Sequence, residues 1–273
     1  MKFETRGGAF RYGAGGYVLR GVNFSIESGE RLSILGANGA GKTTLIRCAA
    51  GLRAWSEGAT YLDGADVRRL PPREFRRRVG YVPQARPSAF VYTVMEMVLL
   101  GRMPCMGAFA SPSAEDERKA REALELAGIP HLAERLCSRI SGGEYQLAVL
   151  ARALASEPEL LILDEPESNL DFRNQARLLG VVASLCRERG MSALFSTHYP
   201  EHALELSCKS LLVMPDGSAL FGASSEIVTE ENLRAAFGVP VILRRFEAFG
   251  RERVCVAAEY CGERRGETKN ASP

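Results

Sequence analysis

Residues 36 to 43 read Gly-Ala-Asn-Gly-Ala-Gly-Lys-Thr. This stretch fits the pattern G-x-x-x-x-G-K-[ST], which marks a phosphate-binding loop when a buried strand precedes it and a helix follows it. A short apolar run at 32–35 precedes the stretch, and a segment of helical character at 45–47 follows it. The order strand, glycine-rich loop, helix therefore predicts a phosphate site in an α/β fold. A glycine-rich turn before an ordinary helix is the weaker interpretation.

The residue types in this loop suit the binding of a nucleotide. Glycines let the backbone curl so that successive N–H groups point at phosphate oxygens, and the following helix adds its positive N-terminal end. Lys42 is predicted to reach the β- and γ-phosphates, and the hydroxyl of Thr43 to bind Mg²⁺. The predicted nucleotide-binding residues of the loop are Gly36, Ala37, Asn38, Gly39, Ala40, Gly41, Lys42, Thr43 and Thr44.

Two adjacent carboxylates, Asp164 and Glu165, follow a second apolar run at 160–163. A carboxylate at the end of a buried strand is the expected second Mg²⁺ anchor of P-loop ATPases, and Asp164 takes that place. Glu165 is then positioned to orient or deprotonate the attacking water. Many buried strands end in aspartate, so the pair is a weak signal alone. Together with the loop it predicts a magnesium-dependent ATPase.

The other apolar runs complete the α/β pattern. Runs at 193–195 and 211–214 are short and nearly continuous, which is typical of strands buried on both faces of a parallel sheet. Ser113 and Ser141 are each followed three residues later by an acidic residue, which predicts two helix starts. We therefore expect a mostly helical insertion at about 86–155. Residues 215–218 predict a turn between two strands.

Composition excludes several classes of protein. The chain has 273 residues, of which 46% are apolar and 25% charged, and its formal net charge is +2, too small to suggest a nucleic-acid partner. No apolar run approaches the roughly 20 residues of a membrane span. The first six residues lack the apolar core of a secretory signal. The seven cysteines are scattered and contain no Cys-x-x-Cys pair. We expect a protein that is made and retained in the cytosol.

Residues 141–144 read Ser-Gly-Gly-Glu. From the residues alone they predict a capping box that opens a helix, while the two glycines would expose backbone donors and form an anion site. Together with the loop and the carboxylates, they resemble the signature of the nucleotide-binding subunits of ATP-binding cassette (ABC) transporters. The resemblance implies that Ser141, Gly142, Gly143 and Glu144 serve the γ-phosphate of an ATP held by a second copy of the chain.

Four further residues match this family in its order. Tyr12 resembles the aromatic residue that stacks on adenine, with Tyr17 as a rival, and Gln84 resembles the glutamine that contacts Mg²⁺ and water and senses the membrane partner. Asp171, in Ser-Asn-Leu-Asp, resembles the loop that crosses the dimer interface. His198 resembles the histidine that contacts the γ-phosphate. The resemblance therefore adds Gln84 and His198 to the catalytic candidates, and Gln84 to the metal ligands.

The resemblance covers about residues 3 to 225 and implies a complete architecture. This is a P-loop hydrolase core with a mainly parallel sheet, an N-terminal antiparallel β subdomain and the inserted helical subdomain. We predict one nucleotide-binding domain over 1–240 and a C-terminal extension over 241–273 whose end is disordered. Ile140, Tyr145 and Glu167 depart from the common family pattern. Glu167 stands where a small hydroxyl residue is more usual, and we expect it to add negative charge near the nucleotide.

A rival interpretation concerns His198. His198 to His202 fits H-x-x-E-H, a spacing known from zinc peptidases in which both histidines lie on one helix face and Glu201 is the general base. Pro200 suits the first turn of a helix, so the helix is predicted to begin there and to leave His198 outside it. His131 is the only other histidine. This spacing therefore does not predict a zinc hydrolase.

The segments at 94–104 and 113–116 resemble importer subunits for iron–siderophore complexes, haem and cobalamin. This resemblance implies two copies on a membrane permease, at the cytoplasmic side of the membrane, with an extracytoplasmic substrate-binding protein as an indirect partner. A soluble ABC ATPase without a transport role, such as an assembly factor, is the alternative.

Two surface features bear on the permease. The apolar segment 95–100 either lines a groove for the permease or is a buried core helix. An arginine cluster either faces the permease or lipid, or is a solvated helix face, and its members are Arg68, Arg69, Arg73, Arg76, Arg77 and Arg78.

Overall fold

A computed structural model describes residues 1–84, 91–107, 110–168 and 170–259. In these ranges the strands are β1 (Lys2–Arg11), β2 (Tyr17–Glu27), β3 (Arg31–Leu35), β4 (Glu57–Leu62), β5 (Ala65–Asp66), β6 (Val79–Val82), β7 (Leu160–Leu163), β8 (Ser192–Ser196), β9 (Lys209–Val213), β10 (Ala219–Ala223), β11 (Val241–Ala248) and β12 (Arg251–Ala258). The α-helices are α1 (Lys42–Ala49), α2 (Pro72–Arg78), α3 (Val94–Leu99), α4 (Ala114–Leu126), α5 (Gly142–Leu154), α6 (Phe172–Arg189), α7 (Pro200–Leu206), α8 (Ser224–Ile227) and α9 (Glu230–Phe237).

The central sheet has the strand order β10-β9-β3-β8-β7-β6. All neighbours in it are parallel except β10, which returns antiparallel beside β9 through the predicted turn. Every residue of β7 and β8 is buried, which explains why the runs are apolar without alternation. The four predicted strands are confirmed. Because β3, β8 and β7 are adjacent and parallel, the segments that follow them meet at one edge of the sheet.

A second, antiparallel sheet has the order β2-β1-β4-β5 and confirms the predicted N-terminal β subdomain. One of its faces packs on α1 and the central sheet. Phe3 and Ile26 from this sheet share a buried cluster with Leu45 and Ile46 of α1 and with Ile34 of β3. The packing fixes α1, and with it the end of the phosphate loop, between the two sheets.

Between β6 and β7 the described residues are helical. Helices α4 and α5 begin at Ser113 and Ser141, and each has the predicted capping box with both reciprocal hydrogen bonds. Helix α3 is a core helix, because Val94, Met95, Met97 and Val98 are all buried against α4 and α5. The idea that 95–100 forms an exposed apolar element is therefore wrong for the helix itself. Leu100, which follows it, is 41% exposed.

The C-terminal extension contains an antiparallel hairpin that the sequence did not predict. Strands β11 and β12 pair from Val241↔Ala258 to Ala248↔Arg251, and Phe249 and Gly250 form the turn with positive φ angles. An ion pair between Arg253 and Glu205 joins the hairpin to α7. The predicted disorder at 262–273 lies outside the described residues. No helix within the described ranges has the length and apolarity of a membrane span.

Candidate active site

The loop at 36–43 has the curled backbone that its glycines predict. Gly36 and Gly41 have φ angles of 152° and 103°, which residues with a Cβ rarely adopt. A Cβ on Gly36 would lie 3.0 Å from the Val213 carbonyl oxygen, and one on Gly41 would lie 3.0 Å from Val18. Both glycines are therefore required by conformation and by close packing. Gly41 immediately precedes α1, so the loop ends at a helix N-terminus.

Lys42 is almost completely buried and is held over the loop. Its Nζ donates hydrogen bonds to the carbonyl oxygens of Gly36 (2.9 Å) and Ala37 (3.2 Å). It also lies 3.3 Å from the Glu165 carboxylate. The candidate phosphate-binding cation and the candidate base are thus in direct contact at the sheet edge.

Thr43 and Asp164 meet although 121 positions separate them. The Thr43 hydroxyl donates to Asp164 Oδ1 at 2.9 Å, and the Ser196 hydroxyl donates to the same oxygen at 3.2 Å. Mg²⁺ prefers oxygen ligands at 2.0–2.1 Å in an octahedron, so adjacent ligands lie about 3 Å apart. The two candidate ligands, Thr43 and Asp164, therefore fit this ion in chemistry and spacing. Burial raises the pKa of Asp164, against the lowering effect of its two hydroxyl donors.

Glu165 has a backbone conformation that is rare for its residue type. Its φ angle is +45°, in the left-handed region, where strain is often stored at functional sites. Its N–H donates to the Ser196 hydroxyl at 2.9 Å, and its carboxylate accepts from the Ser168 hydroxyl at 3.2 Å. The turn after β7 therefore directs this carboxylate toward Lys42 rather than along the strand.

An open pocket of about 530 Å³ lies over the loop. Its lining residues are Tyr12, Val18, Asn38, Gly39, Gly41, Lys42, Thr43, Thr44 and Glu165. The Tyr12 hydroxyl hydrogen-bonds to that of Thr44 at 3.0 Å, and the Tyr12 ring remains 53% exposed beside the pocket. Tyr17 instead bonds Glu57, outside the pocket lining. The placement favours Tyr12 over Tyr17 as the adenine-stacking candidate. Gly36, Ala37 and Ala40 lie behind the pocket as the buried or half-buried part of the loop.

The segment 141–144 does not line this pocket. Ser141 and Glu144 form the capping box of α5, in which the Ser141 N–H donates to the Glu144 carboxylate at 2.8 Å. Gly142 is exposed with open space around it. Gly143 has a packing reason that the sequence did not reveal, because a Cβ there would lie 2.5 Å from the Asn174 side chain of α6. Packing therefore explains why residue 143 is a glycine, but it does not explain why residue 142 is one.

Of the three remaining candidates, Gln84 and His198 closely follow strands of the central sheet and Asp171 lies at the start of α6. Asp171 caps α6 by accepting from the Asn174 N–H at 2.8 Å, so it has a structural role beside its predicted one. Gln84 is exposed two residues beyond β6, the strand next to β7. His198 lies two residues beyond β8 and is half-buried. Helix α7 begins at Pro200, so His198 is outside that helix, as the sequence predicted.

Two features of the site differ from the expectations. Glu167 does not line the pocket: its side chain is fully buried and lies near His202. Its effect on the charge near the nucleotide therefore stays a prediction. Ser196 was missed, although it contacts both Asp164 and Glu165. It ends β8, the neighbour of β7, and knowledge of the strand order would have indicated it.

A phosphate loop after β3, a strand-end carboxylate pair after β7 and a capped Ser-Gly-Gly-Glu helix start define a P-loop ATPase of the cassette type. The family model described as ABC transporter matches residues 19–168. The chain therefore belongs to the ABC transporter family, as the resemblance implied, and it is an ATP-binding ATPase subunit of that family.

Similar proteins include importer subunits with different cargoes. The molybdate import ATP-binding protein MolC of Haemophilus influenzae is 35% identical over 232 residues, which cover 85% of this chain and 86% of that protein. A Helicobacter pylori protein assigned to iron chelatin transport is 32% identical over 243 residues, covering 88% and 94%. A solved inward-facing ABC transporter assigned to the metal-chelate type matches with a TM-score of 0.85 and 32% identity, covering 95% of this chain and 98% of that one.

Proposed function

We propose that the chain is the Mg²⁺-dependent, ATP-hydrolysing subunit of an importer for an iron chelate, such as a siderophore complex or haem, or for cobalamin. The observation that carries the ATPase part is that Lys42, Thr43 and Glu165 line one pocket, with Lys42 beside Glu165 and Asp164 hydrogen-bonded to Thr43. A bound Mg²⁺ would neutralise phosphate charge as the bond to the leaving group breaks. Thr43 and Asp164 would hold that ion, with Gln84 as a further ligand.

The other groups have separate tasks in this proposal. The loop N–H groups and Lys42 bind the β- and γ-phosphates, and Tyr12 stacks on the adenine. Glu165 takes a proton from the attacking water, since its carboxylate is already directed into the pocket. His198, which follows β8 beside β7, contacts the γ-phosphate.

A second copy of the chain supplies the rest of the site. The pocket over the loop contains no residue of 141–144, and Gly142 is exposed at the start of α5. A helix N-terminus with a bare glycine is suited to bind an anion brought by another molecule. In a head-to-tail dimer, each ATP would lie between the loop of one copy and the 141–144 segment of the other. Asp171 would lie near this interface.

A groove of about 820 Å³ between α2 and the helical region of this chain is the docking site that we propose for the permease. Apolar residues of its lining include Leu52, Leu70, Phe75, Leu100 and Pro104, and Leu52 is 61% exposed. Arg68 and Arg76 also line it. Within the arginine cluster, five members are exposed, whereas Arg78 is held by Asp63 and Glu159. A permease segment with an apolar face and acidic flanks fits this groove.

The cargo is inferred from the 94–104 segment and from two of the similar proteins, which are assigned to iron chelatin and metal-chelate transport. A relative of comparable sequence identity is assigned to molybdate import, so molybdate is the competing cargo. In this family the permease and the substrate-binding protein select the cargo, so the residues of the nucleotide site do not discriminate between the two.

The test is ATPase activity of the subunit reconstituted in lipid nanodiscs with the permease encoded beside it and the cognate binding protein. We expect ferric siderophore, haem or cobalamin to raise the ATPase rate, and molybdate to leave it at the basal value. Stimulation by molybdate alone would overturn the chelate assignment. Failure to co-purify with any polytopic membrane protein would instead favour the soluble assembly-factor alternative.

A further inference from the structure

Glu167 is the most unusual buried group outside the nucleotide pocket. It follows Asp164 by three residues, in the turn after β7, and its side chain is fully buried. Among the residues that the structure describes, neither carboxylate oxygen receives a hydrogen bond. A buried carboxylate without a partner is costly, so a donor is expected close by.

His202 is the matching group. It lies in the first turn of α7, and its Nδ1 is 3.8 Å from Glu167 Oε1. This nitrogen is also buried and has no hydrogen-bond partner in the described part of the chain. An imidazole N–H is a donor that a carboxylate can accept, and a movement of about 1 Å would bring the two atoms to hydrogen-bond distance. After such a movement the His202 N–H would satisfy one of the two Glu167 oxygens and would itself gain an acceptor.

The pair is connected to His198 through a stack of rings. The His202 and Tyr199 ring centroids are 4.9 Å apart, and those of Tyr199 and His198 are 4.1 Å apart with an interplanar angle of 36°. Nδ1 of His198 is buried and receives no hydrogen bond within the described ranges. The Tyr199 ring therefore packs on the His198 side chain, and the far end of the stack, His202, lies beside Glu167.

We propose that Glu167 and His202 form a hydrogen-bonded pair that positions His198 through the Tyr199 ring. The pair joins the turn after β7, which carries the candidate base, to the turn after β8, which carries the γ-phosphate contact. Glu167 and His202 are thus positioning residues and do not touch the nucleotide. The inference rests on the proposed function in one respect, the role of His198 in hydrolysis. It also gives a reason for the departure from a small hydroxyl residue at 167.

Histidine resonances test the pair directly, because the chain has only three histidines. In full-length protein labelled with ¹⁵N-histidine, Glu167→Gln should move the ring signals of His202 and also those of His198, whose Nδ1 forms no hydrogen bond with Glu167 in the described residues. His131, exposed in a separate turn, is the internal control and should not move. An unchanged His198 spectrum in Glu167→Gln and in His202→Gln would overturn the proposal.

Steady-state kinetics supply the second test. Glu167→Gln and His202→Gln should each lower kcat about three- to tenfold with little change in the KM for ATP, and the double variant should lose no more than the larger single effect, as expected for partners in one interaction. Effects that multiply in the double variant would contradict a shared pair. If His198→Gln retains full turnover while the resonances still move together, the pair stands and the role of His198 in the proposed function fails.

Discussion

Glu165 combines two properties that an ordinary strand-end glutamate does not need. It has a left-handed backbone angle and a direct contact with Lys42, and its N–H is held by the Ser196 hydroxyl. Strain of this kind persists only where the surroundings hold it in place. The side chain is therefore pre-positioned next to the phosphate loop, which is what a general base requires.

Replacement of Glu165 by glutamine keeps the size of the side chain and removes the carboxylate that we propose as the base. We expect kcat for ATP hydrolysis to fall by at least about a hundredfold, the range of general base catalysis, while ATP still binds. The ATP-bound variant should accumulate as a closed dimer, measurable by size-exclusion chromatography with light scattering. Glu188→Gln, an exposed change on α6, is the matched control. Wild-type turnover in Glu165→Gln would remove Glu165 from the role of base.

At the scale of single residues, the sequence predicted those functional residues that are neighbours along the chain. Lys42 and Thr43 belong to one continuous motif, and Asp164 and Glu165 directly follow an apolar run, so both sites were visible without the fold. Ser196 was not, because its relation to Asp164 exists only once β8 lies beside β7. The contact of Glu167 with His202 is of the same kind, since it joins two turns that the strand order brings together.

The elements show a second limit of sequence reasoning. The apolar residues of α3 are compatible with a buried helix and with an exposed groove, since periodicity gives the apolar face but not its partner. The structure buries Val94, Met95, Met97 and Val98. The hairpin of β11 and β12 escaped prediction for the opposite reason, because most of its side chains are exposed and its sequence lacks a clear apolar alternation.

Two methionines test the assignment of α3 as a core helix. Met97 is 4% exposed and contacts the Cys137 thiol at 3.9 Å, whereas Met103, just beyond the helix, is 64% exposed. Met97→Ala should lower the free energy of unfolding by about 2–4 kcal/mol, the cost of a cavity in a packed core. Met103→Ala, the matched control, should stay within about 0.5 kcal/mol. Urea denaturation of both variants measures the difference, and equal values would contradict the buried position of α3.

At the scale of the whole molecule, the site is divided between two surfaces of one chain. Residues of the phosphate loop and Glu165 line one pocket, Asp164 is hydrogen-bonded to Thr43 of that loop, and the start of α5 lies outside the pocket lining. A head-to-tail dimer with twofold symmetry would then hold two equivalent composite sites. In the proposed dimer the contributions of Lys42 and Ser141 would be separable, because the two residues would act on one ATP from different copies.

Two inactive variants should therefore restore each other. Ser141→Arg should bind ATP yet fail to hydrolyse it, since the arginine obstructs the partner's nucleotide, and Lys42→Ala should lose ATP affinity. When equal amounts are mixed before ATP is added, half of the dimers hold one intact site, so recovery of about a quarter of the wild-type rate is expected for independent sites.

The control for this experiment places both changes, Lys42→Ala and Ser141→Arg, in one chain. A variant with both changes, mixed with wild-type protein, forms mixed dimers in which each site has one defective half, so it should lower activity rather than restore it. An ATPase assay across mixing ratios distinguishes the two cases. If the single variants never restore activity at any ratio, the loop and the Ser-Gly-Gly-Glu segment do not meet across a dimer. If Ser141→Arg alone is fully active, the segment has no part in hydrolysis.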